Sequence, residues 1–361
     1  MKRKKIIMIW GLLGIAIMLG IIVCFYSSRI WTIASIRKIS SNPEYNLYSI
    51  DIHYDYDLDS IIATGFTDDQ TFVDAITRKA LLGLPVQINA PNFGCSAMII
   101  KTTNGEVFTG RNYDFARNTS AMLVRCSPRD GYKSMALCAL DNIQANHADQ
   151  SLRTKLACLV SPYLCLDGIN EKGVTISVLT LDSEPTHQRT GKLAITTVLA
   201  IRLVLDRAAS TEEAIALLKK YDMMASAGRD YHFYVTDALG DGCVIEFDCD
   251  SPERKLIVTP APAVTNFFMI HEDKVLQHQH NGIYGHGKER YDAIRNVQQE
   301  DLDKFSKKTV WKALQAASQA PKNDDITSNT QWSALYDNKA LTLEVSLRRK
   351  WDQKFSFSLN D

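Results

Sequence analysis

The sequence begins with an apolar run that is too long and too uniform to lie on the surface of a globular fold. Met1 is followed by four cationic residues, and the run from Ile6 to about Tyr26 contains no charged residue. About 20 apolar residues in a helix span the hydrocarbon core of a bilayer. Because cations precede the run and few charges follow it closely, we expect a membrane anchor with its N-terminus in the cytoplasm and the remaining chain outside.

A cleaved signal peptide is the alternative interpretation, and it would give a secreted protein. The run is longer than the usual signal core of about 7–15 residues, and no small-x-small cleavage site follows it closely. Val23, just before Cys24, argues against a lipoprotein site. In both interpretations the rest of the chain works outside the cytoplasm.

Charge excludes one class of partner. Lys plus Arg and Asp plus Glu both number 41 in 361 residues, so the formal net charge is zero. No basic stripe with interleaved aromatic residues follows the N-terminal cations. Nucleic acid is therefore not an expected partner.

The hydrophobic pattern after the apolar run predicts a mixed fold. A helix is expected over Asp68–Leu82, and from Ser96 the pattern changes to strands. Strands are predicted at Ala97–Thr103, Glu106–Gly110, Met122–Cys126, Ser134–Leu140, Val174–Leu179, Tyr231–Thr236, Cys243–Asp248, Lys255–Thr259, Trp332–Tyr336, Leu341–Leu347 and Lys354–Ser358, and helices at Ala194–Ala209, Ser210–Tyr221, Lys288–Val297 and Thr309–Ala317. This order suggests two sheets sandwiched between helical layers.

Most of the eight cysteines are interpreted as small buried hydrophobic residues. Cys138 and Cys158, for example, lie in the strand-like stretches Met135–Leu140 and Leu156–Val160. No C-x-x-C pair or other metal-ligand spacing is present, and the sequence fixes no disulfide, although Cys243 with Cys249 is one possible pair. His271, His278, His280 and His286 form a cluster that is interpreted as an exposed loop, so neither a metal nor a cofactor is expected.

Cys95 differs from the other cysteines in its surroundings. Gly94 precedes it and gives a flexible, unhindered peptide bond, as a nucleophile attacking its own upstream carbonyl would need. Asn104-Gly105 predicts a tight hairpin turn, which returns Arg111 and Asp114 alongside Cys95 on the next strand. A cation and a carboxylate beside a strand-initial cysteine make a plausible site.

These motifs resemble those of the choloylglycine hydrolase and penicillin V acylase family. The resemblance rests on Gly94-Cys95-Ser96, Gly110-Arg111-Asn112-Tyr113-Asp114, Asp167 to Gly173, Val264-Thr265-Asn266 and Glu289-Arg290-Tyr291, in that order. It covers roughly residues 90–360 and implies the αββα four-layer sandwich of the N-terminal nucleophile hydrolases. The predicted organisation is then a membrane helix over residues 1–26, a pro-segment over 27–94 and an amidase domain over 95–361.

The resemblance also implies the role of each site residue. Self-cleavage between Gly94 and Cys95 would make Cys95 the N-terminal nucleophile, with its own α-amine as general base. Arg111 would stabilise the thiolate, Asp114 would orient the new α-ammonium, and Asn266 would donate to the oxyanion. Arg290 would organise the pocket from the far side. Without the resemblance, these four residues would be interpreted as surface ion-pair, turn and helix-surface residues.

Two departures affect the expected substrate. Thr180 stands where bile salt hydrolases carry an asparagine, so it could supply only a backbone N–H to the oxyanion, and Asn170 is interpreted as structural. The long segment before Cys95 is closer to the acid ceramidase, N-acylethanolamine acid amidase and acyltransferase-like branch. Both points argue against bile salts.

The expected function is hydrolysis of linear, non-peptide amide bonds in small N-acyl substrates through an acyl-enzyme. An acyltransferase would use the same acyl-enzyme but pass the acyl group to an amine. A papain-like enzyme would pair Cys95 with a distant histidine such as His232 or His286. A catalytically silent, membrane-tethered binding module is the alternative from a different class.

Overall fold

The computed structural model describes residues 2–81, 94–271, 286–323, 325 and 327–360. Its first element, α1 (Lys2–Ala34), is one continuous helix. The stretch Trp10–Ala34 has a mean hydropathy of 2.1, which is long and apolar enough to cross a membrane, although a signal sequence has the same property. The helix continues past Tyr26 because its last turns are anchored to the rest of the chain, with Arg29 Nε donating to the Ala80 carbonyl (2.8 Å).

Residues 35–81, which follow α1, contribute to the main core. They form β1 (Arg37–Lys38), β2 (Leu47–Ile52), α2 (Leu58–Ala63) and α3 (Asp69–Leu81), so the helix predicted over Asp68–Leu82 is confirmed within one residue. Tyr48 and Ile50 of β2 and Ile76 of α3 are fully buried. Leu84-Pro85 and Pro91-Asn92, whose prolines predict breaks in the chain just before Cys95, lie outside the described residues.

The remaining elements follow from Gly94 onwards. The strands are β3 (Gly94–Lys101), β4 (Val107–Asp114), β5 (Ala121–Cys126), β6 (Ser134–Ala139), β7 (Cys165–Asn170), β8 (Thr175–Leu181), β9 (Ala194–Thr196), β10 (Asp222–Met224), β11 (Asp230–Thr236), β12 (Gly242–Phe247), β13 (Leu256–Pro260), β14 (Ala263–Val264), β15 (Thr330–Asp337), β16 (Thr342–Leu347) and β17 (Phe355–Ser358). The helices are α4 (Leu152–Ala157), α5 (Thr197–Arg207), α6 (Thr211–Leu218), α7 (Gly287–Glu300) and α8 (Lys307–Ala316), with 3-10 turns at Leu140–Ile143, Cys158–Tyr163 and Leu302–Lys304.

Two antiparallel-rich sheets form the centre of the fold. One has the order β14-β3-β4-β15-β16-β17, and the other has the order β1-β2-β5-β6-β7-β8-β11-β12-β13. β2 pairs with β5 in parallel, so a strand that precedes Cys95 lies inside the larger sheet. β9 and β10 form a separate parallel pair.

Helices cover the outer faces of both sheets. α7 and α8 pack on β3 and β4, α5 packs on β7 and β8, and β3 contacts β8 between the sheets. Side chains alternate along β3, as strand geometry requires: Ala97 joins the core between the sheets, whereas Met98 faces the α7–α8 layer. This arrangement confirms the predicted helix-covered pair of sheets.

Local signals in the sequence account for several element boundaries. Gly105 adopts φ 82° in the predicted hairpin turn, and Ser210 caps α6 through the Glu213 amide (3.1 Å). The helix expected from Ala194 begins only at Thr197, because Thr196 is its N-cap and the preceding residues pair as β9. The strand-like interpretation of Leu156–Val160 was wrong. A capping box at Ser151 begins α4, which includes Leu156 and Ala157, and the 3-10 turn from Cys158 follows.

Candidate active site

Cys95 is the second residue of β3, and it is fully buried. The hairpin sets Cys95 opposite Tyr113, Gly94 opposite Asp114 and Ala97 opposite Arg111. The Cys95 amide donates to Asn266 Oδ1 (2.7 Å), and its carbonyl oxygen accepts from Arg290 Nη1 (2.5 Å). The peptide groups on both sides of Cys95 are therefore fixed by side chains from distant parts of the chain.

Arg111 lies between the two sheets and is almost completely buried. Its Nε donates to Asp167 Oδ2 on β7 (2.8 Å), and Tyr336 Oη donates to the other carboxylate oxygen of Asp167. Among the described residues, no oxygen atom accepts from Arg111 Nη1 or Nη2, and the guanidinium interacts with the Cys95 thiol. Asp167 thus holds the guanidinium by one edge and leaves the other edge for the Cys95 thiol.

Burial and the neighbouring charges act in opposite directions on the Cys95 thiol. Burial raises the pKa of Cys95 to about 11, and the Arg111 guanidinium partly opposes this rise. Burial also disfavours the charge on Arg111, but Cys95 and Asp167 outweigh this effect and raise its pKa. In the intact chain the thiol is therefore protonated at neutral pH, beside a cation that would stabilise its thiolate.

Asp114, at the end of β4, is a fully buried carboxylate beside Gly94. Thr330 Oγ1 donates to its Oδ1 (2.6 Å), while Gln319 Nε2 and Arg290 Nη1 each donate to its Oδ2 (3.2 Å). Burial raises the pKa of Asp114, and Arg290 and these hydrogen bonds oppose the rise. Asp114 therefore lies opposite Gly94 in the hairpin, and its negative charge acts on the Cys95 thiol.

Asn266 follows the short strand β14 and joins three parts of the site. Its Oδ1 accepts from the Cys95 amide and from Arg290 Nη2 (2.5 Å), and its Nδ2 donates to the Thr180 carbonyl (2.7 Å). A side-chain amide carries two N–H groups, so Nδ2 has a second proton to donate. Thr180 contacts Asn266 through its carbonyl oxygen. Its expected donation of a backbone N–H to the oxyanion stays a prediction.

Gly94 is required by a close approach of the chain. A Cβ atom at this position would lie 3.0 Å from Thr327 Cβ and 3.1 Å from the Thr327 carbonyl oxygen. Those distances are too short for a side chain without a shift of the neighbouring backbone. The candidate cleavage bond is thus enclosed by the segment that leads into β15.

The structure brings together the predicted residues Cys95, Arg111, Asp114, Asn266 and Arg290. Sequence reasoning gave no role to Asp167, although it lies in a quoted motif, and it missed Gln319 and Thr330 entirely. A lone acidic residue in an apolar strand was the available signal for Asp167, because a buried carboxylate needs a partner. Asn170 is structural, as expected: its Nδ2 donates to the carbonyls of Leu205 and Ala208.

The histidines proposed for a papain-like mechanism have other partners. His232 lies between Glu246 Oε1 and the Thr265 carbonyl, at 2.9 Å from each. His286 Nε2 lies 3.2 Å from Asp325 Oδ2. Since both ring nitrogens of His232 are occupied, it has none to offer the Cys95 thiol, which argues against that mechanism.

One group of described residues could hold a metal ion. The candidate ligand atoms of Asp248, Cys249 and His271 all lie within 4.8 Å of one another, and His271 Nε2 is 2.8 Å from Asp248 Oδ1. A hydrogen bond between the two side chains accounts for this contact. His278 and His280 lie outside the described residues. Cys243 and Cys249 are both free thiols.

A model of a known protein family matches the strands that carry Cys95, Arg111, Asp114 and Asp167, and the match ends before Asn266 and Arg290. Residues 95–259 match the linear amide C-N hydrolases of the choloylglycine hydrolase family. The family resemblance is confirmed. The match begins at Cys95 itself, and it supports hydrolysis of amide C–N bonds.

Solved structures of low sequence identity share the fold. Penicillin V acylase from Agrobacterium tumefaciens is 16% identical, with a TM-score of 0.54 over 74% of this chain and 87% of that one. Two variants of the conjugated bile acid hydrolase from Clostridium perfringens are each 15% identical, with TM-scores of 0.54 and 0.52 over 74% of this chain and 93% and 92% of theirs. These likenesses establish the mixed α+β fold, and a closer relation to the acid ceramidase branch stays a prediction.

Proposed function

We propose that this chain is a cysteine amidase that hydrolyses linear, non-peptide amide bonds in small N-acyl substrates. The observation that carries the proposal is the arrangement around Cys95: its amide and carbonyl are held by Asn266 and Arg290, and Arg111 and Asp114 flank it. The choloylglycine hydrolase family match supports the same reaction class.

Maturation would begin within the intact chain. The Cys95 sulfur attacks the Gly94 carbonyl carbon, the Gly94–Cys95 amide bond breaks, and a thioester and a free α-amine result. Water then hydrolyses the thioester, which releases the Gly94 carboxylate and returns the Cys95 thiol. Arg111 supports this step by stabilising the thiolate, against the burial that raises the pKa of Cys95.

The mature site would use the new α-amine as its base. An unperturbed α-amine has a pKa of about 7.7–8.0, so it can take the thiol proton near neutral pH. The thiolate attacks the substrate carbonyl carbon, and the second Nδ2 proton of Asn266 is available to the oxyanion. The leaving amine takes the proton from the α-ammonium, and water hydrolyses the acyl-enzyme. Asp114 accepts hydrogen bonds from the N–H groups of this α-amine in both its neutral and its charged form.

The segment before Cys95 would remain bound after cleavage. β2 lies between β1 and β5 in the nine-stranded sheet, and its Leu47, Tyr48 and Ile50 are fully buried. Removing this segment would expose the apolar surface of β5, the strand that pairs with β2. We therefore propose a two-chain enzyme whose first chain carries α1 as a membrane anchor, with the catalytic domain outside the cytoplasm.

Intact mass and N-terminal sequencing of the expressed chain test the maturation step. We expect a chain that begins at Cys95 in the wild type and an uncleaved chain in Cys95→Ala, which has no nucleophile. A wild-type chain that never begins at Cys95, together with activity retained in Cys95→Ala, would refute the proposal.

Turnover is measured on a panel of bile salt, penicillin V, N-acylethanolamine and N-acyl amino acid substrates. The same reactions with an added amine acceptor separate a hydrolase, which releases the free acid, from an acyltransferase, which forms a new amide. No self-cleavage and no labelling by a thiol-reactive acyl probe would instead favour a silent binding module.

A further inference from the structure

A buried His–Glu pair lies on the larger sheet, next to the segment that carries Asn266. His232 of β11 and Glu246 of β12 are both fully buried, with His232 Nδ1 2.9 Å from Glu246 Oε1 and Nε2 2.9 Å from the Thr265 carbonyl oxygen. The Thr265 carbonyl oxygen can only accept, so His232 Nε2 donates to it, and Nδ1 forms a second hydrogen bond with Glu246. The imidazole ring is therefore held at both nitrogens.

Glu246 also binds the backbone a few residues after Asn266. Its Oε1 also accepts from the Met269 amide (2.8 Å), and its Oε2 accepts from the Ile270 amide (3.1 Å). Together, His232 and Glu246 therefore bind the backbone at Thr265 on one side of Asn266 and at residues 269–270 on the other.

Thr265 links this pair directly to the active site. The next residue, Asn266, contacts the Cys95 amide and the Thr180 carbonyl, both at 2.7 Å. Thr265 Oγ1 donates to the Gly287 carbonyl (2.6 Å) at the start of α7, the helix that carries Arg290. A change at Thr265 would thus reach both side chains that hold the backbone of Cys95.

We propose that His232 and Glu246 are positioning residues that fix Asn266, and through it the oxyanion contact, against Cys95. A role in stability alone is a weak explanation, because replacing both partners of a buried hydrogen bond by apolar groups of the same shape can be nearly neutral for stability. The inference rests on the proposed function, since Asn266 has a catalytic role only in that reaction.

The test is a double-mutant cycle in the full-length chain with His232→Gln, Asn266→Ala and the combination. If His232 acts through Asn266, His232→Gln should lower kcat and the self-cleavage rate by about 10- to 100-fold, the expected effect of misplacing a reacting group. KM should stay within about twofold, as for an interaction made only in the transition state. The combined variant should be no slower than Asn266→Ala alone.

Asn170→Ala is the matched control, because Asn170 is also fully buried and multiply hydrogen-bonded but contacts α5 instead of Asn266. It should lower the unfolding temperature and leave kcat unchanged. The inference is overturned if His232→Gln behaves like this control, or if its effect multiplies with that of Asn266→Ala.

Glu246→Gln provides a second variant in case His232→Gln fails to fold. It keeps the size and one acceptor oxygen, and it should show the same loss in kcat at constant KM; unchanged kcat would overturn the inference. A wild-type chain with neither self-cleavage nor turnover would remove the proposed function together with the inference. Normal wild-type activity with an unaffected variant would remove the inference alone.

Discussion

The ion pair between Arg111 and Asp167 allows stability and catalysis to be separated. Arg111 Nε lies 2.8 Å from Asp167 Oδ2, and the exposed fractions of the two side chains are 1% and 0%. Asp167→Asn keeps the shape and one acceptor oxygen but leaves the Arg111 charge without its counter-ion. Removing one partner of a buried pair costs about 3–5 kcal/mol.

This loss should be visible in both heat and denaturant. A change of 1 kcal/mol shifts the melting temperature by the reciprocal of the unfolding entropy, which is about 2.1 cal/mol/K per residue. For a folded part of about 330 residues this is about 1.5 °C per kcal/mol, so we expect a fall of about 4–7 °C. The urea midpoint should fall with an unchanged slope. A loss below about 1 kcal/mol would show that water or another group compensates the charge, and would refute this account of the pair.

The double variant Arg111→Met/Asp167→Val tests the role of Arg111. Apolar residues replace both charges without a large change in total volume, so stability should return to within about 1–2 kcal/mol of the wild type. Self-cleavage and turnover should remain low, because the cation that opposes the rise in the pKa of Cys95 is gone. Wild-type rates in this stable variant would refute the proposed role of Arg111.

Three further predictions concern the cleavage bond and its neighbours. Gly94→Ala places a Cβ atom 3.0 Å from Thr327 Cβ, which should displace the scissile carbonyl and slow self-cleavage about tenfold or more. The kcat of the enzyme after cleavage should be unchanged. A self-cleavage time course, followed by intact mass, that equals that of the wild type would contradict this prediction. Asp114→Asn removes an anion that favours the charged form of the Cys95 α-amine, so the pKa of this amine should fall. The acid limb of the pH profile of kcat/KM should then move to lower pH. A shift to higher pH would contradict the proposed contact between Asp114 and the amine. Because burial raises the pKa of Cys95 to about 11, the self-cleavage rate should still rise with pH above 8. A plateau at pH 8 would show that the thiolate forms at a lower pH than this burial predicts.

The sequence alone was sufficient for the parts of the site that depend on local geometry. Cys95, Arg111 and Asp114 belong to one hairpin, and the Asn104-Gly105 turn fixes which residues lie opposite each other. The cap at Ser210 and the helix at Asp69–Leu81 follow from equally local patterns. The order of the motifs supplied Asn266 and Arg290 by resemblance, before any contact was known.

Tertiary structure decided which distant groups complete the site. Asp167 reaches Arg111 only because the two sheets face each other, and Gln319 and Thr330 reach Asp114 from more than 200 residues away. The place of β2 inside the larger sheet has the same origin. Hairpin register and helix caps depend on neighbouring residues, and a sequence displays them directly, whereas contacts between sheets depend on how whole layers pack. No local pattern encodes that packing, so only the folded chain shows what holds Cys95 in place.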